Sequence, residues 1–508
     1  MDLDQRASGV LLHITSLPGP HGSGDFGPAA YHFVDWLEAA GQGLWQLLPM
    51  QPPGPGNSPY QSVSAFAGSP WMVALEPLAA RGWIEPGEVP PFDTRRVDFD
   101  VVVPWRMARL REAAQGFQAR ADAADRAAFA AWCRAEAQWL DDYALFMALE
   151  VAHAGAPWWE WDRPLARRDP PALAAAALRH ADELAFWRFV QWCFETQWTA
   201  VKGYANQRGV AIMGDLPIFV AHHSADCWAR PDLYFLDHDF QPTVVAGVPP
   251  DFFSATGQRW GNPLYRWDRM AAEGHAGWVA RVRRMLAHVD LFRIDHFRGF
   301  AGYWEVPAAS PTAIDGRWVA GPGKPLFDAI EAALGVLPIV AEDLGVVTPD
   351  VEALLEACGY PGMRVLQFAF GDDASHAFLP HNHVPNTVVY TGTHDNDTLA
   401  GWWQAAPIAE RRFVTAYLGA SGEGGEPLHW QLVRAACLSV ARLAIFPLQD
   451  LLGLGSEHRM NTPGLMGGSN WAWRFDWTMV GTATGPRLAG LAAVTGRADF
   501  ARFAAPAP

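Results

Sequence analysis

The densest chemistry in the chain lies between Val289 and Gly299. Val289, Leu291 and Ile294 form a short apolar run, and Arg293, Asp295, His296 and Arg298 crowd into six positions around its end. Charge at the end of a buried strand is costly unless it is paired or used. The same pattern recurs: Asp215 ends an apolar run from Gly209, Glu342 follows Leu337 to Ala341, and Asp395 lies just past Asn386 to Thr391. One such carboxylate reads as a helix cap or a loop ion pair. Four of them, each in a dense polar motif, point to an active site.

Paired carboxyl groups at neighbouring strand ends suit retaining glycosyl transfer. One, ionised, attacks the anomeric carbon; the other, protonated, protonates the leaving oxygen, the two lying about 5–5.5 Å apart. Arg293 precedes Asp295 by two positions, so both side chains share one side of the strand. A guanidinium there favours the ionised form that a nucleophile requires. Glu342 follows Ile339, Val340 and Ala341, an apolar flank that raises the pKa of a general acid. Asp343 alternates to the other face.

The elements that must carry these groups follow from the pattern of apolar runs. Gly9–Ile14 reads as a strand, Ala29–Gly41 as a helix with Gly41 at its stop, and Gly43–Pro49 as a second strand. Further strands are expected at Gly209–Pro217, Val289–Asp295, Leu337–Glu342, Met363–Phe370, Asn386–Thr391 and Arg442–Pro447. Helical patterns, such as Asp350–Cys358 and Gly274–His288, separate several of them; between the sixth and seventh no helix is evident. Eight parallel-type strands with crossovers predict an α/β fold, a (β/α)8 TIM barrel whose catalytic groups sit at the C-terminal strand ends. The second and third strands are roughly 160 residues apart, too far for one crossover. This predicts the first barrel strands in 1–59, an inserted and mostly helical subdomain in 60–207, and the remaining barrel in 208–508 with a loop-like insertion at about 219–274.

Composition narrows the class of function. The chain has 508 residues, half of them hydrophobic and 18% charged, with a net charge of −16. That balance fits a large globular core and disfavours nucleic acid and anionic membrane as partners. Five cysteines without a Cys-x-x-Cys pair favour reduced thiols in a cytoplasmic protein. Met-Asp-Leu-Asp-Gln-Arg at the start offers no basic stretch before an apolar run, so no signal peptide is expected. No uninterrupted apolar run is long enough to read as a membrane span.

At these residues the chain resembles amylomaltase, the bacterial 4-α-glucanotransferase of the α-amylase clan. The matching segments are Asn57–Pro70, Gly214–His222, Gly247–Ser254, Gly257–Tyr265, Phe292–Gly299, Ala341–Gly345, Thr391–Thr398 and Arg459–Gly464, in the family's order. The resemblance implies transfer of α-1,4-glucan segments between maltooligosaccharides, with glucose or an oligosaccharide as acceptor and without metal or organic cofactor. It implies Asp295 as nucleophile, Glu342 as general acid/base and Asp395 as a third carboxylate holding sugar hydroxyls and favouring the distorted ring. Arg293 and His394 then act as supporting donors, Tyr60 as an aromatic platform, and Asp215 as a further hydroxyl partner, with Ser58 also at the substrate. Pro249–Phe253 corresponds to a mobile covering loop, with Asp251, Phe253 and Trp260 as sugar contacts. Three departures, His223 for Asp, Phe252 for Tyr and Ala255 for Glu, bear on acceptor binding and spare the presumed catalytic set.

Blander readings compete at several positions. Asp215 fits a loop hydrogen bond, Tyr60 a half-buried aromatic, and His394 a structural histidine. His222, His223 and Asp226 match no common zinc spacing. Trp158, Trp159 and Trp161 fit packing, and Gly464–Ser469 lacks the residues of a phosphate loop. Two functional alternatives stand beside transfer: an α-glucan hydrolase on the same barrel, where water meets the glycosyl-enzyme, and a non-catalytic glucan-binding scaffold, against which the intact Asp295, Glu342 and Asp395 speak.

Overall fold

The computed structural model describes residues 5–250, 254–345, 348–419 and 425–498. Twelve strands appear in it: β1 (Ala7–Leu11), β2 (Leu44–Gln46), β3 (Ala211–Leu216), β4 (Val244–Val248), β5 (Gln258–Pro263), β6 (Leu291–Ile294), β7 (Gly302–Pro307), β8 (Arg317–Ala320), β9 (Ile339–Ala341), β10 (Gly362–Val365), β11 (Thr387–Tyr390) and β12 (Leu443–Pro447). Eight of these form one parallel sheet in the order β10-β11-β12-β1-β2-β3-β6-β9. They are the eight strands expected from the apolar runs, mostly shortened at their ends. Their residues are buried on both faces, as in a sheet wrapped by helices.

The two outer strands of that order, β9 and β10, meet and make the sheet a barrel. Ala341 N–H donates to Pro361 O at 2.9 Å. Asp343, buried, accepts the Met363 N–H at 2.6 Å and an Arg364 N–H at 3.1 Å. Gly362 makes room for this carboxylate: a Cβ there would collide with an Asp343 oxygen. Gly362→Ala is therefore expected to displace the Asp343 staple and destabilise the fold by about 1–3 kcal/mol; an unchanged urea midpoint would refute it.

Helices take most crossovers. Pro28–Ala39 starts with Pro at its first turn and buries Phe33, Val34 and Leu37. It stops before Gly41, whose φ is 65°. Ala181–Gln207, with thirteen buried residues, runs directly into β3. The β10-to-β11 connection has two short 3-10 turns, Leu366–Phe368 and Pro380–Asn382, and no α-helix, as the sequence pattern suggests.

The stretch from Tyr60 to Gln207 is mainly helical, through Phe99–Arg120, Ala123–Ala135, Ala137–Ala152, Pro170–Arg179 and Ala181–Gln207. In the segment 219–274 the structure departs from the loop-like expectation. It supplies β4 and β5, which join β7 and β8 in a four-stranded antiparallel sheet ordered β5-β4-β7-β8. A Cβ on Gly247 would collide with Gln258 O, so the two strand backbones approach where only glycine fits. The glycines and prolines that signal a loop here also permit that approach.

Candidate active site

The strand ends converge as expected, and register explains how. Asp215 on β3 stands beside Arg293 on β6, and Ile294 beside Ala341 of β9. Asp295 and Glu342, the next residues of those last two, therefore leave adjacent strands at one level. Backbone bonds continue the ladder: Asp295 N–H to Leu216 O at 3.0 Å, and Glu342 N–H to Ile294 O at 3.0 Å.

Arg293 is the hub. Its Nε donates to Asp215 Oδ1 at 3.0 Å, and its Nη2 to Asp215 Oδ2 and Asp295 Oδ1, both at 2.8 Å. Tyr60 Oη donates to Asp215 Oδ2 at 2.6 Å, bringing the loop after β2 into the network. Solvent access divides the carboxylates. The Asp215 side chain is 0% accessible, against 29% for Asp295 and 46% for Asp395. Asp215, expected to bind a sugar hydroxyl, is sealed in here, with both oxygens engaged. These contacts fix Arg293 and Tyr60 in place, because a bidentate guanidinium–carboxylate pair is geometrically stiff. Asp295 and Asp395 present open oxygens.

Glu342 sits in a backbone cradle. Its Oε2 accepts the His296 N–H and its Oε1 the Leu344 N–H, each at 2.8 Å. His296 reaches this geometry with a φ of 55°. That conformation is uncommon for a residue with a side chain, and strain of this form clusters at functional sites. The His296 ring meets Trp260 of β5 edge-on, with centroids 4.8 Å apart. Burial lowers the His296 pKa to about 3, with the Arg298 charge adding to the effect, so the imidazole stays neutral.

Asp395 follows β11. Asn461 Nδ2 donates to its Oδ1 at 2.6 Å, Arg459 Nη2 to its backbone oxygen at 2.5 Å, and His394 Nε2 lies 3.3 Å from Oδ2. The His394 ring stacks on Tyr60 at 5.1 Å and 10°, and Trp471 flanks both rings. Burial lowers the His394 pKa although Asp395 opposes this. The Ser58 hydroxyl accepts the Tyr60 N–H at 3.3 Å and so shapes the turn that presents Tyr60. Asp251 and Phe253 lie outside the described residues. Asn461, Arg459 and Trp471 have no role in the sequence reading; the signal available was the position of the first two in the Arg459–Gly464 motif.

The electrostatics qualify one expectation. Burial dominates at Asp295 and outweighs the pull of Arg293 toward ionisation. The charges of Asp215, Glu342 and Asp395 add to burial, and the Asp295 pKa is raised well above the usual range. The reason is that Arg293 is shared, with Asp215 taking two of its hydrogen bonds. Burial also raises Glu342, against Arg293 and the two backbone N–H donors. Two neighbouring carboxyl groups that both resist ionisation titrate as a pair. Burial and mutual repulsion thus favour the protonated form at this pair.

The other candidates do not join the site. His222 Nε2 bonds Phe240 O, His223 Nε2 lies 3.4 Å from Glu150, and Asp226 accepts the Ala65 N–H. Trp158 and Trp161 are buried, and Trp159 stacks on His222 at 3.8 Å.

Comparison with known proteins agrees with this geometry. The family model for 4-α-glucanotransferase, glycoside hydrolase family 77, matches residues 12–479. The 4-α-glucanotransferase of Thermus thermophilus is 51% identical over 497 residues, covering 97% of this chain and 99% of that one. That of Synechocystis sp. is 50% identical over 479 residues, covering 93% and 94%. The solved structure of amylomaltase from Streptococcus agalactiae in complex with acarbose superposes with a TM-score of 0.94 at 36% identity, covering 97% of this chain and all of that one. Family, relatives and barrel agree, and the chain belongs to the 4-α-glucanotransferase family, glycoside hydrolase family 77, with transfer rather than hydrolysis as its activity.

Proposed function

We propose that Asp295 is the nucleophile, Glu342 the general acid/base and Asp395 the third carboxylate of a retaining double displacement between maltooligosaccharides. The observation that carries this reading is the arrangement of two in-register carboxyl groups of raised pKa beside a third that stays open to solvent. In the first step Asp295 attacks the anomeric carbon of a donor α-glucan and Glu342 gives its proton to the departing glycosidic oxygen. Positive charge developing on the sugar, together with Arg293, favours ionised Asp295, while burial keeps the proton on Glu342. In the second step Glu342 takes the proton of an incoming 4-hydroxyl, which displaces Asp295 and restores the α-linkage. Asp395, set by Asn461, holds hydroxyls of the reacting sugar, with His394 as a neutral donor beside it. Tyr60 packs against the ring, and Trp260 offers an aromatic face to the acceptor.

Donors are maltooligosaccharides and larger α-glucans; acceptors are glucose or another oligosaccharide. Five unpaired cysteines accord with a cytoplasmic setting, and no described helix is long and apolar enough to cross a membrane. Incubation with maltotriose tests the transfer reading. Glucose together with maltopentaose and longer chains is expected by chromatography, at a constant number of reducing ends. Only shortened products with rising reducing ends would overturn it.

A further inference from the structure

The loop from Thr391 to Leu399 carries His394 and Asp395; its ends, Thr391, Thr398 and Leu399, are buried, while Asp395 and its neighbours Asn396 and Asp397 are only partly so. Thr393, His394, Asn396, Asp397 and Thr398 border a cavity of about 20 Å³. That is room for a single water. The placement of this loop therefore leans on polar ties as well as on packing. The polar ties at the loop's two ends converge on one side chain from the neighbouring strand. Asp450, just past β12 and 1% accessible, accepts the Thr391 hydroxyl on Oδ2 at 2.7 Å and the Leu399 N–H on Oδ1 at 2.8 Å. Thr391 leaves β11, and Leu399 begins the helix Leu399–Ala405, whose first turn Thr398 caps through Gly401 N–H. Further ties hold the middle: Gln367 Nε2 donates to Asp397 O at 2.7 Å, and Arg459 and Asn461 hold Asp395 itself.

We propose that Asp450 is a positioning residue for the reaction: it clamps both ends of the Thr391–Leu399 loop and so holds the loop in the place from which Asn461 can orient the Asp395 carboxylate against the sugar. The proposal rests on the role given to Asp395. A displacement of about 1 Å in such a group costs on the order of 10²-fold in rate. Burial raises Asp450 to about 7, its two hydrogen bonds oppose the rise, and the Asp397 charge adds to it. A buried carboxyl so placed costs stability that an apolar side chain would not, and local costs of that kind are expected where geometry is held for function.

The test compares Asp450→Ala, Asp450→Asn and Thr391→Val at a temperature where each is folded by circular dichroism. Asp450→Ala loses both ties and is expected to lower kcat on maltotriose by about 10- to 100-fold with KM within about threefold. Asp450→Asn keeps an acceptor for Leu399 N–H and a polar partner for Thr391, and is expected to retain at least about a third of kcat. Thr391→Val cuts one tie, leaves the carboxyl, and is expected to lose about tenfold, so it answers the question if the Ala variant does not fold. A folded Asp450→Ala or Thr391→Val with kcat within threefold of wild type would overturn the proposal, as would an Asn variant no better than Ala. Asp395→Asn is measured alongside. Full activity there would sink the role of Asp395 and with it the purpose given to Asp450; loss there with full activity in Asp450→Ala would sink the positioning role alone.

Discussion

Asp295→Asn is expected to lower kcat on maltotriose by at least about 10⁴-fold, the scale on which loss of a covalent nucleophile acts. The substitution keeps the shape of the side chain and an acceptor oxygen for Arg293 Nη2, so the Arg293–Asp215 pair and the Tyr60 contact stay in place. Maltooligosaccharide affinity should stay within about threefold by calorimetry, because the lost interaction belongs to the transition state and not to the bound substrate. Stability should not fall. Ionised Asp295 is disfavoured by burial and by three neighbouring carboxylates, and the neutral amide removes that cost. The sign follows from the raised pKa: wild type loses stability as pH rises from the unfolded carboxyl pKa through the raised folded value, and the Asn variant loses less, keeping only the contributions of other raised carboxyls such as Glu342 and Asp450. A variant that turns over within tenfold of wild type would remove Asp295 from the mechanism.

The second large effect separates the acid/base from the nucleophile. Glu342→Gln is expected to lower kcat on maltotriose by about 10²- to 10⁴-fold. With an α-glucosyl fluoride donor the leaving group needs no proton, so the first step should recover and the glycosyl-enzyme accumulate. Azide, which needs no base, should then release an α-glycosyl azide. The pH profile supplies an independent reading. The raised Glu342 must stay protonated for the first step, so wild-type kcat/KM falls as pH climbs through that raised value. Gln has no proton to lose, and the alkaline limb should vanish. Equal defects on maltotriose and on the fluoride, with no response to azide, would sink the assignment.

What the sequence reveals, and what it conceals, follows from the range of the interactions. The barrel strands are legible because strands buried on both faces are short unbroken apolar runs. The site is legible because those runs end in charge, as at Ile294-Asp295 and Ala341-Glu342. The antiparallel sheet is hidden because β4 and β5 lie among glycines and prolines, and β7 follows only after a barrel strand. The burial of Asp215 depends on Tyr60, 155 positions earlier, and the Asp395 orientation on Asn461, 66 positions later. No local pattern reports either. The charge balance at Asp295 escapes the sequence for a related reason: adjacency announces the Arg293–Asp295 contact, while the competing claim of Asp215 comes from another strand.

The seam between β9 and β10 has a consequence for how the enzyme fails. Elsewhere in the barrel, adjacent strands are joined by ladders of paired residues, but here Ala341 N–H and the Asp343 carboxylate span the gap. Heat or denaturant that loosens the barrel locally finds its easiest parting line there. Glu342 lies between those two attachments. Opening the seam would displace Glu342 while most strands remain paired, so activity is expected to be lost on warming before the far-ultraviolet circular dichroism signal falls, making the inactivation temperature a property of one joint rather than of the whole barrel.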